Sequence, residues 1–137
     1  MKKLVFLVMV VMALWAVAGC GKKAPTDGTG AEGLQPINDA LLAAGFKLDT
    51  FKPADASRFQ ARSCAAGTLA GVETIVCEYA QPQAELGRKA GEAWVAQAVT
   101  GAVLVNGHTL LAVADRAHVD PNGKTIHRIT QAYQHAK

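Results

Sequence analysis

No C-x-x-C pair occurs in this 137-residue chain, which excludes thioredoxin-type exchange and C-x-x-C-H haem attachment. There is no G-x-S-x-G elbow, and Ser57 and Ser63 lack a nearby histidine–acid arrangement. Positive charge does not gather in a stripe with interleaved aromatics, so nucleic acid is a poor partner. The N-terminal apolar run, Leu4–Ala18, has fifteen residues and no stop-transfer pattern after it. Spanning a bilayer core of about 30 Å takes about 20 helical residues, so this run is too short.

What is present begins around that run. Lys2 and Lys3 precede it, and Val17-Ala18-Gly19-Cys20 closes it. A basic start, a short apolar stretch and small residues make a cleavable signal peptide, but here the small residues lead directly into a cysteine. The stretch resembles the lipobox of bacterial lipoproteins. The resemblance covers residues 1–20 and implies cleavage after Gly19, a diacylglyceryl thioether on Cys20 and acylation of the new amino group. Two or more acyl chains anchor stably, at about 0.8 kcal/mol per buried CH₂. The alternative is a secreted protein whose discarded signal contains Cys20. Gly21 rather than aspartate follows the cysteine, which by the enterobacterial sorting rule implies the outer membrane, with the domain facing the periplasm.

Three segments follow: signal peptide 1–19, lipidated Cys20 and tether 20–33, and one domain 34–137. Residues 21–33, GKKAPTDGTGAEG, carry four glycines and no large apolar side chain. Such a coil spans about 20 Å end to end. Lys22 and Lys23 either touch anionic headgroups or simply solubilise the linker. Loss of Lys2 and Lys3 takes 14 basic residues to 12 against 11 acidic ones, so the net charge falls from +3 to +1.

With Cys20 lipidated, Cys64 and Cys77 remain, and an even pair in an exported protein reads as a disulfide. Val72–Tyr79 is β-branched and aromatic, hence a strand, and residues 60–66 are its weaker partner. A two-residue turn at Ala70-Gly71 sets Leu69 against Val72 and Cys64 opposite Cys77, on a non-hydrogen-bonded site. Cα atoms there lie about 4.5 Å apart, within disulfide range. A four-residue loop would keep the opposition but change the site type, and alanine is a poor residue for φ > 0, so the turn type stays open.

Elsewhere, Pro36 opens a helix carrying Ile37, Ala40, Leu41 and Ala44, which Gly45 stops. Residues 54–59 allow one helical turn. Gln81-Pro82 starts a helix reaching about Val99, with Glu85–Lys89 and Arg88–Glu92 pairs on one face and Gly87, Ala90, Gly91, Trp94 and Ala98 on the other. That small-residue face suits close packing on a sheet. Ala102–Val105, then Asn106-Gly107, then His108–Ala114 reads as a hairpin with a type I′ turn. Asp120-Pro121-Asn122-Gly123 leads into a last helix buried through Ile126, Ile129 and Tyr133. The expected fold is α+β: a small two-layer sandwich, a four-stranded mainly antiparallel sheet with three helices, in the order α-ββα-ββα.

Candidate chemistry is sparse. Asp115, His118 and Asp120 share a loop but show no ligand spacing; a solvated loop with a helix cap explains them. His108 stands apart from them, and His127 and His135 are two turns apart on the last helix. Glu73 and Glu78 point to opposite sheet faces, and Glu85 and Glu92 belong to a salt-paired surface. No catalytic residue, metal or cofactor is therefore expected. The reading that remains is a non-catalytic interaction or assembly domain, bound to the bilayer through acylated Cys20 and to an envelope protein partner. Because both faces of the second hairpin are apolar, Leu104, Leu111 and Val113 form its candidate partner-binding face. The alternative is a small-ligand carrier or sensor that binds between sheet and helices, in a pocket lined by Trp94, Phe46 and Phe51.

Overall fold

The structure is a computed structural model and describes residues 32–136. The signal peptide, Cys20 and most of the tether lie outside those residues. No helix among the described residues is long and apolar enough to cross a membrane.

Eight elements follow in order: α1 (Gln35–Ala43), β1 (Lys52–Ala54), β2 (Ser63–Leu69), β3 (Val72–Glu78), α2 (Arg88–Val95), β4 (Thr100–Asn106), β5 (Thr109–Asp115) and α3 (Lys124–His135). Short 3₁₀ turns precede α1 (Glu32–Leu34), β2 (Ser57–Phe59) and α2 (Ala84–Gly87). The class is α+β with three helices, but the sheet has five antiparallel strands rather than four, ordered β1-β2-β3-β5-β4. The unforeseen strand is Lys52-Pro53-Ala54, whose proline has the chemistry of a loop. A proline can join a sheet only where its missing N–H is not needed, as at an edge.

The layers also differ from the expected two. One sheet face, through Ala65, Leu69, Val72, Val76, Leu111 and Val113, packs with α1 and α3. The other, through Cys64, Ile75, Cys77, Leu110 and Ala112, packs with Phe59, Tyr79 and the α2 residues Ala90, Trp94 and Val95. Helices therefore cover both faces, which accounts for the absence of a polar face on the second hairpin. The face made by Leu104, Leu111 and Val113 is interior: Leu111 and Val113 are fully buried, and half-buried Leu104 packs on the same cluster. The expectation of a partner-binding face there is corrected accordingly.

α1 ends in a Schellman motif. The N–H of Phe46 bonds Leu41 O at 3.1 Å, and that of Gly45 bonds Leu42 O at 2.9 Å. Arg128 of α3 donates to Ala44 O at 2.7 Å and lies 4.9 Å from the centre of the Phe46 ring. It thereby caps one helix with a cation from the other.

α2 is shorter than the sequence pattern suggests, because residues 84–87 are drawn into a 3₁₀ turn against the sheet. Gly87 is buried beside the Tyr79 hydroxyl, and a Cβ on Gly91 would lie 2.9 Å from Val103 Cγ1. The small-residue face thus lets the backbone approach the strands closely. The 3₁₀ spacing also re-pairs the surface charges, since residues three apart eclipse there. Glu85 bonds Arg88 rather than Lys89.

Candidate functional site: the open edge of the sheet

Hairpin geometry fixes which backbone groups face outward. The β2–β3 turn is Ala70-Gly71, with φ of 50° and 84°, the type I′ pattern. Leu69 pairs with Val72 and Cys64 with Cys77, and the two cysteines form a disulfide at a Cα–Cα distance of 4.1 Å. The register derived from a two-residue turn is the one found. In the second hairpin Asn106 pairs with Thr109, so the loop is Gly107-His108, one residue later than expected. Positive φ falls on Gly107 (52°) and not on His108, the II′ rather than the I′ pattern.

The closing pair of a two-residue hairpin is hydrogen-bonded, and antiparallel ladders then alternate. In β4, Asn106, Leu104, Ala102 and Thr100 therefore turn their N–H and C=O toward β5. Gly101, Val103 and Val105 turn theirs away. Among the described residues no strand pairs with that side. β4 carries no charge and no proline, Gly101 is exposed, and residues 102–105 are half-buried. Ala102 and Leu104 pack toward α1 and α3, Val103 and Val105 toward α2.

A groove of about 440 Å³ runs along residues 103–106 of β4, between Arg88 of α2 and Tyr133 and Gln134 of α3. A second cleft of about 240 Å³ shares Asn106 and Tyr133 with it and extends to Gly33 and Pro36, where the described chain begins. Tyr133 lines both. Its hydroxyl donates to Thr109 O at 2.9 Å and lies 2.8 Å from Thr109 Oγ1, and burial holds its pKa above the usual phenol range. His108 Nδ1 donates to Tyr79 O at 3.2 Å and fixes the turn to the end of β3. On the other wall, the Arg88 guanidinium holds the Glu85 carboxyl below its ordinary range.

The remaining sequence candidates fall apart from this groove. Asp115 accepts from Val119 N at 3.0 Å and Asp120 N at 2.8 Å, while Asp120 accepts from Ile126 N at 2.8 Å. They cap a loop and the start of α3. His118 beside them, like His108, His127 and His135, is exposed. Among the described residues no three His, Cys, Asp or Glu side chains come together as a metal would need. Glu73 bonds Arg116, whereas Glu78 on the opposite face accepts from Ser63 Oγ at 3.2 Å. Phe46 and Phe51 lie on one side of the sheet and Trp94 on the other, capped by Arg116 at 4.5 Å from its ring centre. They line no common pocket. The sequence signal for the edge, an uncharged apolar run on both faces of β4, was legible, but it reads equally as a central strand. Comparison with protein-family models, with curated proteins and with solved structures returns no match for this chain.

Proposed function

We propose that this protein is a bacterial envelope lipoprotein, held to a membrane by acylated Cys20, whose domain is a non-catalytic interaction module that binds through the β4 edge. One observation supports the reading above the rest: β4 is seven residues long, uncharged and, among the described residues, unpaired on its outer side. Proteins ordinarily blunt such an edge with charge, proline, a bulge or a cover, because bare backbone groups template another strand. Strand addition supplies affinity through main-chain hydrogen bonds and specificity through alternate side chains. A small-ligand carrier is the weaker reading, since the aromatic residues that would line its pocket are split between the two sheet faces.

The test places a photo-crosslinking residue at Val105 or at Lys52 in the whole chain and illuminates intact membranes. Cross-links from position 105 and none from position 52 support the β4 edge; the reverse, or none from either, overturns it. In the same cells Cys20→Ala removes acyl labelling and releases the protein from the membrane fraction. Retention without acylation would overturn the anchor.

A further inference from the structure

We infer that the occupant of the β4 edge is β4 of a second copy of this chain, paired antiparallel about a two-fold axis at Val103. The inference rests on the reading of the domain as an interaction module and names its partner.

The strand is built for this register. Its outward-facing residues are Gly101, Val103 and Val105, so centring on Val103 sets 101 against 105 of the other copy and 103 against itself. Every outward N–H and C=O between 101 and 105 is then satisfied in three hydrogen-bonded pairs. No residue from Thr100 to Asn106 is charged, so self-apposition brings no like charges together along the ladder. The two halves of the strand also complement each other. Its second half floors the groove between Arg88 and Tyr133, while its first half is Thr100-Gly101-Ala102. Antiparallel pairing lays the small half of each copy into the groove of the other.

The helices allow the approach. α2 lies over β4 and β5 alike, so its axis runs about half a strand spacing inside the edge. One further spacing of about 4.8 Å sets the two α2 helices about 10 Å apart, an ordinary helix-packing distance. The tether fits as well. Gly33 sits at the Asn106 end of β4, in the cleft continuous with the groove. A two-fold through Val103 puts the two Gly33 residues at opposite ends of a ladder about 20 Å long. Eleven residues, 21–31, separate Cys20 from the 3₁₀ turn Glu32–Leu34; a Gly-rich coil of that length would reach about 18 Å, enough for both acyl anchors to enter one bilayer. Confinement to that bilayer raises the local concentration of copies, as linked binding modules do for each other.

The experiment uses the full lipidated chain in its own membranes, with Val103→Cys or Val105→Cys and oxidation by a mild catalyst. Facing Cα atoms at 103 fall within disulfide range, about 4.4–6.8 Å, whereas the two 105 positions lie four residues apart along the ladder. The expected result is a doubling of mass on a non-reducing gel for most of the Val103→Cys protein and for almost none of the Val105→Cys protein. Sedimentation of the unsubstituted chain in detergent then gives the mass of two copies, independently of how either variant folds. Dimers from Val105→Cys and not from Val103→Cys overturn this register. A cross-link from either position to a different protein overturns self-pairing and leaves the interaction module standing. One-copy sedimentation with no cross-link from either position overturns the inference, and photo-crosslinking from position 105 then decides separately whether the interaction module stands.

Discussion

The two ends of the sheet solve the same problem in opposite ways. At one end β1 has three residues, opens with the exposed Lys52 and centres on Pro53. β2 spends the N–H and C=O of Ala65 on β3, so Ala65 and its partner Pro53 form the non-hydrogen-bonded pair of the β1–β2 ladder. The outward donor of β1 would therefore be the N–H of residue 53, and proline has none. At the other end β4 has seven residues, no charge, and an N–H at each of its outward positions 101, 103 and 105. One edge is closed by its chemistry and the other left open over a groove. The lesson is that the open edge is a feature of β4 in particular, since this same fold shows how an edge is shut.

The largest effect expected concerns what holds the closed end. The bridge between Cys64 and Cys77 closes a loop with a sequence separation of 13, worth about 3 kcal/mol in the chain-entropy model. Replacing both cysteines by alanine lowers the urea unfolding free energy by that order. Hydrogen exchange rises first in β1 and β2, and β4 keeps its protection. Equal loosening at both ends would break the contrast. Next in size, Val103→Pro gives β4 the blunting that β1 already has. Its outward N–H disappears while the bonds to β5 stay, so stability falls by about 1.5 kcal/mol through lost valine burial. The proposed pairing through β4 should vanish with that N–H. A variant that still binds would move the interface off this edge.

How much of this was legible in the sequence depends on which force decides each element. The cysteine spacing and the Ala70-Gly71 turn carried the register of β2 and β3, because a covalent bridge and a two-residue loop admit few geometries. Ile126, Ile129 and Tyr133 showed the buried stripe of α3, because helical period and burial agree there. β1 was invisible: Lys52-Pro53-Ala54 has no strand propensity, and the pairing of 52 with 66 and 54 with 64 creates it. The Asn106-Gly107 dipeptide pointed to a turn one residue early, since Asn106 is held in the ladder opposite Thr109. The site itself could not be read. An apolar strand looks the same whether a neighbour covers it or not, and only the strand order distinguishes β5 in the interior from β4 at the edge.

A smaller effect sharpens the open end through the wall of its groove. α3 presents Tyr133 to β4 and starts beside Asp120. Burial pushes the Asp120 carboxyl up, but the N–H groups of Ile126, Thr125 and Lys124 together outweigh it and hold the group below its ordinary value. The charged form therefore favours the fold. Its contribution is complete above the unfolded value of about 3.9 and is lost as pH falls through the lower folded value. Asp120→Ala costs about 1 kcal/mol near pH 7, as loss of a helix cap does. The unfolding midpoints of the two proteins converge in acid. Midpoints that stay apart below the folded value would mean that Asp120 acts through something other than its charge.

The smallest effect in stability is the most direct test of the comparison, because it opens the edge that is shut. Pro53→Val restores an N–H on the outward side of β1 and keeps the pairs of 52 with 66 and 54 with 64. The folded ladder loses nothing, and the unfolded chain gains freedom, so the cost is about 0.5 kcal/mol. What changes is the behaviour at high concentration. A strand with a donor and acceptor facing solvent recruits another, and Lys52 alone, repelling its copy, offsets this only at low salt. The variant should show concentration-dependent growth in light scattering that rises with salt, while the unsubstituted protein should show none beyond the proposed β4 pairing. Adding Val103→Pro should leave that growth intact, because the new contact belongs to the other end of the sheet. If Pro53→Val associates no more than the unsubstituted chain, the missing N–H is not what keeps β1 closed. Length and charge would then carry the protection, and the openness of β4 would have to be argued from its seven uncharged residues alone.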